Sequence, residues 1–133
     1  MVPQFLNPHG LCPTFGWTHV TASGPGVLVH VSGQVSVDER GQVVGVGDFA
    51  AQAEQAFKNV GIALAAAGAK FTDVVMSRIF VVGLKPELMP TFREIRSRYF
   101  SKEHPPASTL VGVQALVGPE WLIEIEVTAV IGG

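Results

Sequence analysis

At 133 residues and 14.1 kDa the chain is long enough to bury a core and too short for two ordinary domains, so one domain spanning 1–133 is expected. Charged residues make up only 15% against a usual figure of about 25%, and apolar residues reach 47%, which leaves less polar surface than so small a monomer normally presents and argues for a buried subunit interface. A net charge of −2, a pI near 6.0 and nine scattered Lys and Arg exclude the electrostatic footprint of a nucleic-acid binder, so no nucleic-acid partner is expected.

Cys12 is the only cysteine, which rules out an intramolecular disulfide or a thiolate metal cluster within one chain. The start, MVPQFLNPHG, lacks a basic region followed by an apolar one, and no apolar run approaches the roughly 18 residues of a membrane span. A soluble cytoplasmic protein is expected.

Residues 1–17 hold Pro3, Pro8, Pro13, Gly10 and Gly16, which suit an irregular lead-in. Thr18 to Ala22 and Val27 to Val31 are short and β-branched, and the intervening Ser23-Gly24-Pro25-Gly26 predicts that they form a hairpin. Asp38-Glu39-Arg40-Gly41 signals a turn, and Gln42 to Val46 reads as a short added strand. From Phe49 to Ala67 apolar residues recur on one helical face, with Asp48 as N-cap and Gly68 as terminator. Val74 to Val82 is nearly unbroken apolar sequence and reads as a strand covered on both faces. Leu88, Phe92, Ile95 and Tyr99 repeat at helical spacing, with Pro90 tolerable in the first turn. After a loop at Lys102 to Pro106, two strands flank the turn Val117-Gly118-Pro119-Glu120. The order is ββαβαββ, an α+β domain of two helices on one sheet.

Side chains alternate across a strand, so each strand divides by parity. Ile123, Ile125, Val127, Ala129 and Ile131 make a clean apolar face, as do Val27, Val29 and Val31, and as do Thr109, Val111, Val113 and Ala115. The opposite faces mix Leu28, Leu110, Leu122 and Val130 with His30, Ser32, Ser108, Glu124 and Glu126. Two helices should cover the clean faces. The mixed faces would then form a large exposed apolar patch unless other subunits bury them, and their polar members must be paired or line a wet pocket.

The residues also resemble the Rid (reactive intermediate deaminase, YjgF-like) family. The match runs through Gly16-Trp17-Thr18-His19-Val20, Val31-Ser32-Gly33-Gln34, Gln52 to Asn59, Ala67-Gly68, Asp73-Val74-Val75, Pro106-Ala107-Ser108-Thr109 and Glu124-Ile125-Glu126. It implies a chorismate-mutase-like fold and a homotrimer whose sheets line a central barrel, with a small-molecule cleft between neighbouring subunits. It further implies hydrolysis of reactive enamines and imines, such as 2-aminoacrylate, to 2-keto acids and ammonia, with no metal or organic cofactor. Glu124 matches the glutamate associated with the hydrolytic water. The family's carboxylate-gripping arginine, which follows the Pro-Ala pair, is replaced here by Ser108. Exchanging a charge-assisted grip for a neutral hydroxyl forfeits roughly 1.5–3 kcal/mol, or about 10- to 150-fold. Trp17, where archetypal members often carry tyrosine, points to a reshaped pocket.

The candidate site is therefore Glu124 as general base on water, with Ser108, Thr109, Ser32, Gly33 and Trp17 as substrate-binding groups. If the last two strands pair directly, Ser108 lies opposite about residue 129, roughly 16 Å along the strand from Glu124, so the two share a cleft only across a subunit boundary or through a bulge. The alternatives are a non-catalytic metabolite-binding trimer, motivated by Ser108, and thirdly a ribonuclease or translation inhibitor. Arg78, inside the apolar strand, needs a partner and suits a structural ion pair or interface role. Cys12 has no identifiable activating base, and His9, His19, His30 and His104 lack metal-ligand spacing.

Overall fold

A computed structural model describes residues 3–132. The chain forms β1 (Gln4–Leu6), β2 (Val20–Ala22), β3 (Val27–Gln34), α1 (Phe49–Ala66), β4 (Val74–Val82), α2 (Met89–Ser97), β5 (Ala107–Val113) and β6 (Ile123–Ile131). A four-stranded mixed sheet has the order β3-β6-β4-β5, in which β5 runs parallel to β4 and the other pairings are antiparallel. Two helices pack on one face of it, giving a two-layer α+β fold.

Both expected helices form where their punctuation falls. Asp48 is extended and accepts the Ala51 N–H at 3.0 Å, while Gly68 just beyond α1 takes φ +76°, a conformation a side chain would resist. Pro90 sits in the first turn of α2, where its missing N–H costs nothing, and α2 stops at Ser97 in a tight turn through Phe100.

The core lies between sheet and helices. Ile123, Ile125, Val127 and Ala129 of β6 meet Ala53, Ala56, Phe57, Val60 and Leu64 of α1. Phe57 stacks on Tyr99 at 4.8 Å and meets Phe100 edge-on at 5.7 Å, geometries worth about 0.5–1.5 kcal/mol each beyond burial. Fully buried Gln52 satisfies itself by tying three loop groups together: Nε2 donates to the Gly45 and Glu120 carbonyls, and Oε1 accepts the Leu122 N–H.

Several expectations are corrected. The first hairpin does not form: β2 pairs with β1, in the Pro-rich lead-in, while β3 pairs with β6 across the whole chain. Gln42 to Val46 makes only an isolated bridge, Val37 with Val43. The last two strands are not neighbours, because β4 lies between β5 and β6. Parity in β5 is inverted relative to the expectation. Ser108 registers with buried Ser77 and Leu110 with buried Ile79, so both face the helices, whereas Thr109, Val111 and Val113 face away. Strand β4 is covered on its helix face only, and Arg78 points out from the other face, exposed, with Thr109 and Glu126 as cross-strand neighbours.

No helix among the described residues is long and apolar enough to cross a membrane.

Candidate functional site

The open face of the sheet carries Glu124, half-buried, at the start of β6. Its partner strand is irregular here. Val31 pairs with Val127 and Gln34 with Ile125, so Ser32 and Gly33 together oppose the single residue Glu126. Such a bulge bends the strand and re-aims its backbone. The Glu124 side chain lies on the bulge: a Cβ built on Gly33 would stand 2.8 Å from Glu124 Cγ and 2.7 Å from Cδ, and would collide with Oε2. Gly33 is therefore required for close approach, and its φ is not in the left-handed range. Ser32 is exposed beside it, and its carbonyl accepts from Gln34 Nε2 at 3.1 Å.

Trp17, Ser108 and Thr109 gather at the opposite edge. Thr18 bridges to Ala107, donating its N–H to the Pro106 carbonyl at 3.0 Å and its hydroxyl to the Pro105 carbonyl at 2.6 Å. That clamp sets Trp17 beside the start of β5, where it meets the His19 ring edge-on at 4.6 Å. Ser77 and Ser108 hydroxyls lie 3.0 Å apart, so the Ser108 side chain is turned to the helix side of the sheet.

The six residues thus fall into two groups within one protomer. Gly33 and Glu124 touch, with Ser32 adjoining; Trp17, Ser108 and Thr109 cluster elsewhere. Phe80 is opposite Glu124 and Ser77 opposite both Val127 and Ser108. Ser108 is accordingly three residues along and two strands across from Glu124, about 14 Å away, and on the other face. The separation departs from the roughly 16 Å expected for direct pairing because β4 lies between β5 and β6.

Cys12 is not as isolated as its loop suggests. His19 Nε2 lies 4.0 Å from Sγ, but the same nitrogen stands 2.8 Å from the Cys12 carbonyl, the better partner. Ser77 was not legible as a site residue, since it reads as one polar position in an apolar strand. Arg96 sits beside Ile95 on the buried side of α2 and points back to the lead-in, with Nη2 donating to the Phe15 carbonyl at 3.0 Å.

A small two-layer α+β chain with a glycine-seated carboxylate on an open sheet face is the class these features define. A family model described as Endoribonuclease L-PSP matches residues 11–131. The chain is 34% identical to the 3-aminoacrylate deaminase RutC of Acinetobacter baylyi over 125 residues, covering 94% of this chain and 95% of that protein. It is 35% identical to the human 2-iminobutanoate/2-iminopropanoate deaminase over 125 residues, covering 84% and 88%. Among solved structures, a protein of unknown function from the conserved Rid family, YyfB of Yersinia pestis, superimposes with a TM-score of 0.93 at 35% identity, over 98% of this chain and 100% of that one. The chain belongs to the Rid (YjgF-like) family.

Proposed function

We propose that the protein is a cofactor-independent hydrolytic deaminase of reactive enamines or imines, working as a homotrimer with its site between subunits. The observation that carries this reading is the Glu124 carboxylate seated on the Gly33 backbone of an open sheet face. The deaminase names of the relatives support the reaction class. Imine hydrolysis needs little machinery. Glu124 takes a proton from water as the oxygen adds to the C=N carbon, and the nitrogen gains a proton. The resulting carbinolamine then expels ammonia as the carbonyl forms, and the proton lost from oxygen balances the one gained by nitrogen. An enamine enters the same sequence after protonation at carbon.

The trimer is supported by the two half-sites. Strands β3 and β5 are the two edges of the sheet, and Ser32, Gly33 and Glu124 lie toward one while Trp17, Ser108 and Thr109 lie at the other. A neighbouring copy that brings its β5 edge to the β3–β6 side of the first would join the halves into one cleft. Leu28 and Val111, 58% and 40% exposed, are the apolar surface such contact would cover. Ser108 in place of an arginine lowers the affinity for carboxylate-bearing imines and shifts preference to other substrates.

Glu124→Gln should leave the fold intact and lower kcat/KM by about 10²–10⁴-fold on imines freshly generated by an amino-acid oxidase. Absence of turnover by the wild type across a broad imine panel would overturn the reading. One observation favours the non-catalytic binding alternative: the Ser108 hydroxyl already accepts from buried Ser77. In that case small carboxylates or carbonyl compounds would raise Tm without being turned over.

A further inference from the structure

A cavity of about 260 Å³ opens between the lead-in and the C-terminal half of α2, remote from Glu124. Its lining mixes Phe15 and Phe100 with Arg93, Arg96, Ser101 and Lys102, and includes no Asp or Glu. Its floor is unusual: Arg96 is only 8% exposed, yet among the described residues its guanidinium has no carboxylate partner. Glu54 and Glu94, by contrast, lie against Arg98, at 3.6 and 4.0 Å.

Buried arginines are normally paired. Arg96 is held by neutral contacts alone, its Nη2 donating to the Phe15 carbonyl and its Cζ 5.4 Å from the centre of the Phe92 ring. Gly16 lets it lie flat against the lead-in, since a Cβ there would stand 3.1 Å from Cζ and collide with Nη2. The fork has five N–H donors, and one is used on Phe15. No Arg96 nitrogen is both fully buried and unpaired, so the donors not used on Phe15 keep access to water at the pocket that Arg96 lines. Burial first, and then the like charge of Arg93, pull its pKa below the ordinary arginine value. Ser101 Oγ accepts the N–H groups of Glu103 and His104, at 3.2 and 3.1 Å, which leaves its own proton to donate.

We infer that this cavity binds a small oxyanion, a carboxylate or a phosphate group, gripped by Arg96 and enclosed by Arg93, Lys102 and Ser101. Arg93 lies close enough to Arg96 for its charge to act on it, Lys102 also lines the pocket and no Asp or Glu does, so an anion would convert like-charge repulsion into charge-assisted hydrogen bonds. The competing explanation is that Arg96 merely clamps the Phe15 carbonyl and offsets the C-terminal dipole of α2. It gives no reason for a second cation to stand beside Arg96, or for the pocket to be lined by cations with no Asp or Glu.

Isothermal titration of the full chain with inorganic phosphate and, separately, acetate, at ionic strength held constant with sodium chloride, tests the site. One of the two should saturate at one per chain, and the one that does identifies the group. Arg93 and Lys102 are exposed, so the double variant Arg93→Gln/Lys102→Gln should fold normally and bind at least about 10-fold more weakly. Glu124→Gln, on the far face of the sheet, should keep the wild-type affinity, which separates this site from the proposed deaminase centre. Failure of both anions to bind beyond chloride, or wild-type affinity in the double variant, would overturn the inference.

Discussion

The Glu124 carboxylate and the Gly33 backbone occupy adjoining space so closely that no side chain can stand at position 33 while Glu124 keeps its place. Gly33→Ala should therefore act on Glu124. Displacement of about 1 Å costs on the order of 100-fold in kcat/KM, and forced repacking costs about 1–3 kcal/mol in stability. Shortening the partner discriminates the two effects. Gly33→Ala/Glu124→Ala should recover stability relative to Gly33→Ala, because Cγ, Cδ and Oε2 are all removed, without recovering activity. Additive stability losses in that cycle would show that the two residues do not meet.

Restoring an arginine after the Pro-Ala pair probes substrate preference. Ser108→Arg should raise kcat/KM on 2-iminobutanoate by about 10- to 150-fold if the new side chain reaches the cleft. The change also removes the hydroxyl that accepts from buried Ser77, at a cost of about 1 kcal/mol or more, so denaturant midpoints should fall. A variant no more active than the wild type on that imine would mean the β5 start does not contribute to substrate binding.

Tyr99 is the only tyrosine, so phenolate absorbance reports one group. Burial, and next its 2.6 Å hydrogen bond to Glu54 Oε1, push its pKa up to about 12. The unfolded chain ionises near the ordinary value of about 10. Because the folded pKa is the higher, the contribution to stability is intact below about pH 10 and is lost as pH rises toward about 12. Glu54→Gln should lower the folded midpoint; an unchanged midpoint would assign the shift to burial alone.

Gln52 is fully buried and makes three side-chain hydrogen bonds to backbone groups of the loops around it. Gln52→Leu leaves the Gly45 and Glu120 carbonyls and the Leu122 N–H unpaired, and should destabilise by about 3 kcal/mol. Chemical denaturation measures it directly. A loss under about 1 kcal/mol would mean water replaces the amide.

Much of the fold is legible where one residue type has one use. Asp48, Gly68 and Pro90 punctuate helices through backbone chemistry that tertiary contacts do not override. Strand partners are different, because a turn sequence such as Ser23-Gly24-Pro25-Gly26 specifies a reversal and not what the chain meets afterwards; Val27 in fact registers with Ile131. Parity divides a strand into two faces without saying which is inward. In β5 the Ser77–Ser108 hydrogen bond lets the mixed face bury itself, a compensation that depends on a residue in another strand. The closeness of Gly33 and Glu124 is written in neither residue's neighbourhood, since a bulge across two strands creates it. Family resemblance pointed to both positions, and the bulge supplies the physical reason they belong together.

The position of β6 has a consequence for biogenesis. It sits between β3 and β4, so every antiparallel pairing of the main sheet runs through residues 123–131. Until that segment leaves the ribosome, β3 on one side and the β4–β5 pair on the other have no shared backbone ladder, and the nascent chain exposes two unfinished sheet fragments. Cooperative folding must therefore wait for synthesis of β6, and a stalled product ending before Ile123 should be a substrate for chaperones and proteases.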